Sequence, residues 1–99
     1  MRTMMRITIP TEQGSKAIRD GSLPKILQSA LESLKPEAAY FMADNGRRSA
    51  LVFFDLKDST QIPAITEPLF QGVNASVELV PVMNVDDLKA GLDIAAKRV

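Results

Sequence analysis

The chain has 99 residues, with 12 basic and 12 acidic side chains in balance, and it contains neither cysteine nor histidine. Its length suits one domain, residues 1–99, and its 45% hydrophobic content is ordinary for a globular protein. The missing residues exclude disulfides, thiolate chemistry and histidine-based proton transfer or metal binding, and the zero net charge leaves no global field to attract nucleic acid.

The first predicted element is a strand from Arg2 to Ile9, in which Met5, Ile7 and Ile9 alternate with other residues. The second arginine, Arg6, interrupts the apolar run that a signal peptide would need. No segment reaches the roughly 18 consecutive apolar residues of a membrane span. We therefore expect a cytoplasmic protein that does not associate with a membrane.

The next segment carries helical signals in two parts. Residues 11–19 are weakly helical, because Gly14 lowers their propensity. After the turn Asp20-Gly21, Ser22 is a candidate N-cap of a longer helix that Pro36 ends. Apolar residues recur along this helix at the spacing of one face: Leu23, Ile26, Leu27, Ala30, Leu31 and Leu34.

Two strands joined by a short turn follow. Residues 37–43 are apolar on both faces, and the sequence Asp44-Asn45-Gly46 is typical of a tight hairpin connection. The return strand covers residues 47–56, with uniformly apolar even-numbered positions and mixed odd-numbered ones. The pattern predicts an antiparallel hairpin, and it leaves open which sheet faces Tyr40 and Phe41 occupy.

A further helix is predicted after the hairpin. Asp58 or Ser59 can cap it, and it should run to about Gln71. Pro68 lies deep enough to remove a backbone hydrogen bond, so we expect a kink or a shorter helix. Gly72 is a plausible C-terminal stop.

The last predicted elements are a strand and a helix. The strand covers residues 75–83, and its Pro81 cannot donate to a ladder, which favours an edge of the sheet. Asn84 then caps the final helix, with Asp86 and Asp87 placed in its first turn, where negative charge suits the helix dipole.

This order of elements, βαββαβ with an extra C-terminal helix, predicts a ferredoxin-like α+β sandwich. Two right-handed βαβ crossovers joined by a hairpin place the antiparallel strands in the order 4-1-3-2, with both crossover helices on one face. A face left to water should be polar, yet alternation gives the other face Leu51, Phe53 and Val80. The sequence therefore predicts that something covers this face.

Three segments resemble small proteins of the dimeric α+β barrel superfamily, and in particular a short bacterial branch: Asp20-Gly21-Ser22-Leu23-Pro24-Lys25-Ile26, Leu34-Lys35-Pro36-Glu37-Ala38-Ala39-Tyr40-Phe41 and Pro81-Val82-Met83. The resemblance covers nearly the whole chain. It implies a homodimer, in which two ferredoxin-like subunits pack their open sheet faces around a cavity. The superfamily includes monooxygenases, isomerases and haem-degrading enzymes, so its fold does not select a function.

Four residues are candidates for lining such a cavity. Arg6 and Glu78 fall on the open face in adjacent strands, where they could orient a polar ligand group or form a buried salt bridge. Tyr40 could donate a hydrogen bond or a proton to a ligand carbonyl, or be an ordinary strand aromatic. Phe53 would add an apolar wall. For the charged pair and for Tyr40, the structural interpretation is favoured.

Two further charged pairs also favour a structural interpretation. Arg47 and Arg48 could hold a carboxylate or phosphate, but neighbouring strand residues point to opposite faces, and a hairpin end is usually solvated. Asp86 and Asp87 superficially resemble a metal or acid pair, and their position at a helix start explains them.

The function predicted from these features is binding of a small, partly apolar molecule in the cavity of a homodimer, or assembly alone, without metal or cofactor. The alternative is a cofactor-independent isomerase or monooxygenase that uses Tyr40, Arg6 and Glu78 as polar groups. The missing histidine favours binding over catalysis. An RNA-binding sheet needs exposed aromatics and a basic surface, so we expect no nucleic-acid partner for this neutral chain with 5% aromatic residues.

Overall fold

A four-stranded antiparallel sheet carries three helices on one face in the computed structural model, which describes residues 1–98. A fourth helix follows the last strand, and a 3₁₀ turn at Ser59–Gln61 precedes the third helix. The elements in chain order are β1 (Arg2–Ile9), α1 (Thr11–Arg19), α2 (Ser22–Leu34), β2 (Ala38–Asp44), β3 (Arg47–Asp55), α3 (Ile62–Val73), β4 (Ser76–Pro81) and α4 (Val85–Ala96).

The strand order β2-β3-β1-β4 is the predicted order 4-1-3-2, and it makes the arrangement ferredoxin-like. Pro81 lies on the edge strand β4, opposite Thr3 of β1, where its missing N–H costs least. Asn45 and Gly46 adopt positive φ angles of 52° and 74°. Two successive positive φ angles are the signature of the two-residue hairpin turn, which joins β2 to β3 here.

The helix-covered face of the sheet forms the hydrophobic core. Every second residue of β1 is buried, from Thr3 to Ile9, because side chains alternate between the faces of a strand. α2 and α3 pack closely at Gly72, where a Cβ atom would lie 2.8 Å from Ile26 Cδ1. The buried apolar residues are Met5, Ile7, Ile9, Ala17, Leu23, Ala50, Val52, Phe54, Leu56, Leu69, Val73 and Ala75.

The N-terminus of α2 is capped differently from the expectation. Gly21, at φ 79°, is the N-cap residue, and Asp20 rather than Ser22 supplies the capping side chain. Asp20 Oδ1 accepts a hydrogen bond from Ser22 N at 2.9 Å. Hydrogen bonds from the Ser22 side chain and backbone lower the pKa of Asp20, because they stabilise its charged form.

The path of α3 also corrects two expectations. Pro68 does not interrupt the helix, which runs on to Val73, and Leu69 beside the proline is 1% exposed. Burial against the core holds the helix together despite the backbone hydrogen bond that the proline removes. Asn74 ends the helix in place of Gly72, with a left-handed φ of 53°.

α4 is well formed but projects from the rest of the chain. Asn84 Oδ1 accepts from Asp87 N at 2.8 Å, and Asp87 Oδ2 accepts from Asn84 N at 3.1 Å, which completes a capping box. Every residue of the helix is exposed, and the molecule is 55 Å long with a radius of gyration of 16.0 Å, against about 13 Å for a compact chain of this length. Neither α4 nor any other helix within residues 1–98 is long and apolar enough to cross a membrane.

Candidate functional site

The face of the sheet opposite the helices, here called the open face, collects the candidate residues in rows across the strands. One row is apolar and consists of Ala38, Phe53, Met4 and Val80. The next row mixes both characters and consists of Tyr40, Leu51, Arg6 and Glu78. The third row, Met42, Ser49, Thr8 and Ser76, is mostly polar. Polarity therefore increases along the strands over these three rows, and beyond the apolar row the face ends in a charged row of Arg2 and Asp55.

The register of the hairpin settles the position of Tyr40. Tyr40 lies opposite Leu51 and Phe41 lies opposite Ala50, so Tyr40 is on the open face and Phe41 on the helix side. Both are exposed, by 61% and 55% respectively. Tyr40 is exposed because no helix in the described part of the chain packs on the open face, and Phe41 because β2 is an edge strand that the helices on the other face do not cover. Alternation alone could not decide this, since residues 37–43 are apolar on both faces.

A charged pocket of about 410 Å³ lies at the polar end of the open face. The residues that line it are Arg6, Thr8, Asp44, Asn45, Arg47, Ser76 and Glu78. Arg6 Nη1 donates to Asp44 Oδ2 at 3.4 Å, reaching over β3, and the Arg6 side chain is 34% exposed. Two cationic and two anionic side chains therefore surround one concave space.

Arg6 and Glu78 share the open face in adjacent strands, as alternation predicts, and the register between β1 and β4 places them directly opposite each other. The expected ion pair between them is not formed: among the described residues, the ion pair of Arg6 is with Asp44. Glu78 is exposed, so its carboxylate keeps its hydration while the chain is alone. The pocket can thus offer an acceptor at Glu78 beside donors at Arg6.

Tyr40 and Phe53 lie on the open face but at different distances from this pair. Tyr40 is in the same row as Arg6 and two strand spacings away, which is about 10 Å. Phe53 lies in the neighbouring apolar row, opposite Met4. The four predicted residues are therefore brought to one surface, with the aromatic pair beside the charged pocket rather than inside it.

The two hairpin arginines separate, as expected for neighbours on a strand. Arg47 lines the charged pocket. It is therefore a further candidate for binding a ligand, although its sequence position indicated only a solvated hairpin end. Arg48 lies on the helix side, where its Nη1 donates to Ser15 Oγ at 3.4 Å. A single clamp made of both arginines is excluded.

Sequence reasoning missed a salt-bridge cluster at the apolar end of the face. Arg2 Nε is 2.8 Å from Glu37 Oε1, and Arg2 Nη1 is 2.6 Å from Asp87 Oδ2. The hydrogen bond and charge of Glu37, followed by Asp87, raise the pKa of Arg2. Alternation placed Arg2 on the open face, but its partners come from outside the strands, and no short-range pattern connects them. Asp87 thus both caps α4 and ties it to the sheet.

A second concave surface lies on the helical side, away from the candidate residues. It is a groove of about 330 Å³ between α2 and α3, with apolar and small side chains such as Ile26, Ala30, Ala64 and Ile65 in its wall. Across residues 1–98, no cluster of three or more acidic side chains could hold a metal ion. The open face is therefore the surface that joins charge and apolar area.

No protein-family model matches the chain, and no curated protein matches it either. Among solved structures, the chain is similar to a formyltetrahydrofolate deformylase from Pseudomonas putida KT2440, with a TM-score of 0.55 and 13% sequence identity. The match covers 83% of this chain and 29% of the deformylase, so the chain spans less than a third of that protein. The likeness shows the shared fold alone.

Proposed function

We propose that this chain forms a homodimeric α+β barrel by packing two open faces together, and that the dimer binds a small, partly apolar molecule between the sheets. The observation that carries the proposal is the gradient along the open face, from an apolar row around Phe53 and Met4 to the charged pocket at Arg6 and Glu78. Ligand sites usually combine apolar walls with a few convergent polar groups.

A second copy is the partner with the right chemistry for this face. The apolar rows would pack against their own symmetry mates, which removes Val80, Leu51 and Phe53 from water. The charged pockets would then border the enclosed space, where both signs of charge can find partners. A bound molecule with a carbonyl, carboxylate or amide could accept from Arg6, and the N–H of an amide could also donate to Glu78. Its apolar part would lie against Phe53 and Tyr40.

The experiment is a binding survey on the dimer. A panel of small aromatic and branched aliphatic carboxylic acids and amides is added to isotope-labelled protein, and backbone amide shifts are followed by NMR. We expect saturable shifts that cluster at Arg6, Thr8, Leu51 and Glu78. Shifts confined to the groove between α2 and α3 would contradict the proposed site.

A pair of matched variants tests whether the charged pocket contributes. Arg6→Met should weaken binding of a responding acid by about 10- to 100-fold, the size expected for one charge-assisted hydrogen bond. Arg19→Met is the control, because Arg19 lies exposed on α1 at the opposite side of the sheet. Equal affinities of both variants would exclude Arg6 from the site.

A further inference from the structure

α4 is built as a stable helix but has nothing to pack against in its own chain. Its apolar residues Val85, Leu88 and Leu92, here called the α4 stripe, share one helix face, and they are exposed by 66%, 45% and 58%. An isolated helix of about 12 residues is marginal in water even with good caps. We therefore expect this capped helix to pack its exposed apolar stripe against another surface.

The start of α4 is fixed at a known place on the sheet. Arg2 holds Asp87 of α4 and Glu37 beside β2 with the same guanidinium, so α4 leaves from the end of the sheet where β2 begins. In the proposed dimer each row of the open face packs on its own symmetry mate, which requires a twofold axis parallel to the strands. Because the strand order is β2-β3-β1-β4, this axis places β4 of one chain over β2 of the other. α4 follows β4 and would then emerge next to the β2 edge of the second copy.

That edge carries its own uncovered apolar side chain. Phe41 is 55% exposed on the helix side of β2, so contact between the two open faces cannot cover it. Ala43 lies two residues further on the same side and is also exposed. An exposed edge strand with an aromatic side chain is usually protected by another element, and within residues 1–98 of one chain no helix covers it.

The area that a stable dimer must bury also favours a second copy of the chain as the surface that receives α4. Four strands spaced about 4.8 Å apart and about 24 Å long give the open face a flat outline on the order of 450 Å², to which the protruding side chains add accessible area. A standard interface buries about 800 Å² of accessible surface per partner. A helix of 12 residues is about 18 Å long and 10 Å wide, or about 180 Å² in outline. In a reciprocal exchange each chain buries its own helix and the area under its partner's, which brings the total close to that standard.

We infer that α4 is an exchanged arm, whose stripe packs on the outer edge of β2 of a second copy, around Phe41. This inference rests on the proposed dimer and adds the element that locks it. Each chain would supply one arm and receive one, so the contact is closed and does not lead to open polymers.

Cross-linking between differently tagged chains tests the contact. Because the chain has no native cysteine, only the introduced cysteines can react. One chain carries Ala95→Cys, beside the α4 stripe, and the other carries Ala43→Cys, beside Phe41. After the chains are refolded together and treated with a short bismaleimide, we expect a covalent product that holds both tags. Ala90→Cys, on the opposite side of α4, is the matched control and should react much less.

Other outcomes of this experiment overturn the inference. A product with Ser29→Cys in place of Ala43→Cys would show that the arm lies in the groove between α2 and α3. A product formed within one chain that carries both cysteines, but not between two chains, would show that α4 folds back on its own sheet.

A dissociation measurement separates this inference from the proposed function. Leu88→Asp should raise the dimer dissociation constant about tenfold or more, whereas Ala90→Asp, on the far side of the same helix, should leave it unchanged. If the chain is dimeric and both variants dissociate alike, the arm is refuted while the dimer stands. If the unmodified chain is a monomer, the proposed function fails, and the arm fails with it.

Discussion

The two faces of the sheet are built from neighbouring residues of the same strands, yet they meet different surroundings. Met5, Ile7 and Val52 are at most 2% exposed under the helices, whereas Met4, Arg6 and Leu51 lie next to them on the open face and are half-buried. The covered face is mostly apolar, and over β1 and β3 it packs against helices of the same chain. The open face combines an apolar row with a charged pocket, and no helix within residues 1–98 packs on it.

The difference shows what a strand can encode. Because successive side chains point to opposite faces of a sheet, one strand can specify a core on one face and a recognition surface on the other. Substitutions on the covered face should act on the free energy of unfolding, and those on the open face on association and binding.

The largest effect is expected at adjacent methionines. Met5→Ala should lower the free energy of unfolding by about 2–5 kcal/mol, because it leaves a cavity in the core. Met4→Ala should cost less than about 1 kcal/mol when the protein is dilute and monomeric, because its side chain is half-buried there. Denaturant titrations of both variants give the comparison, and similar losses would mean that the two faces do not differ in this way.

A smaller effect compares a packed helix with an unpacked one. Asn74→Ala places alanine at a φ of 53° at the end of α3, and should lower the free energy of unfolding by about 1–2 kcal/mol. Asn84→Ala removes the cap of α4, a loss of about 0.5–2 kcal/mol of helix stability. In the monomer this second loss should appear as reduced helicity by circular dichroism, with an unchanged unfolding midpoint. A lowered midpoint would show that α4 packs on its own chain.

The smallest effect concerns the cap of α2 on the covered side. The pKa of Asp20 in the folded chain lies below its ordinary value of 3.8, so its charged form stabilises the fold above that pH, and the contribution disappears as the pH falls through the folded pKa. Asp20→Asn should be slightly less stable than the parent chain at neutral pH, and the two should converge in acid. A difference that persists unchanged in acid would contradict this role of the charge.

Much of the fold could be predicted from local patterns. Alternation in Arg2–Ile9 gave both faces of β1, and Pro81 indicated an edge strand. The same alternation predicted that Arg6 and Glu78 share the open face in adjacent strands, and the register adds that they are opposite each other. It did not predict the ion partner of Arg6, because Asp44 lies on a different strand and is reached by side-chain length rather than by register.

The features that escaped prediction depend on tertiary surroundings. Pro68 indicated a kink or a shorter helix, but α3 is not shortened and runs on to Val73, with Leu69 beside the proline buried in the core. The capping residues of α4 were read correctly from Asn84 and Asp87, yet nothing local says where a capped helix will pack. Ligand and partner escape prediction from local patterns for the same reason, because both depend on surfaces that meet only in an assembly.

The most direct test of the account is the mass of the protein in solution. Light scattering over micromolar concentrations should give twice the mass of one chain, and Phe53→Glu should give a single chain, because it places a charge in the apolar row between Ala38 and Met4. Ile18→Glu is the control, since Ile18 is an exposed apolar residue on α1, and it should stay dimeric. The mass of one chain for the unmodified protein at every concentration, or a Phe53→Glu variant that remains a dimer, would contradict the claim that the open face is where two copies meet.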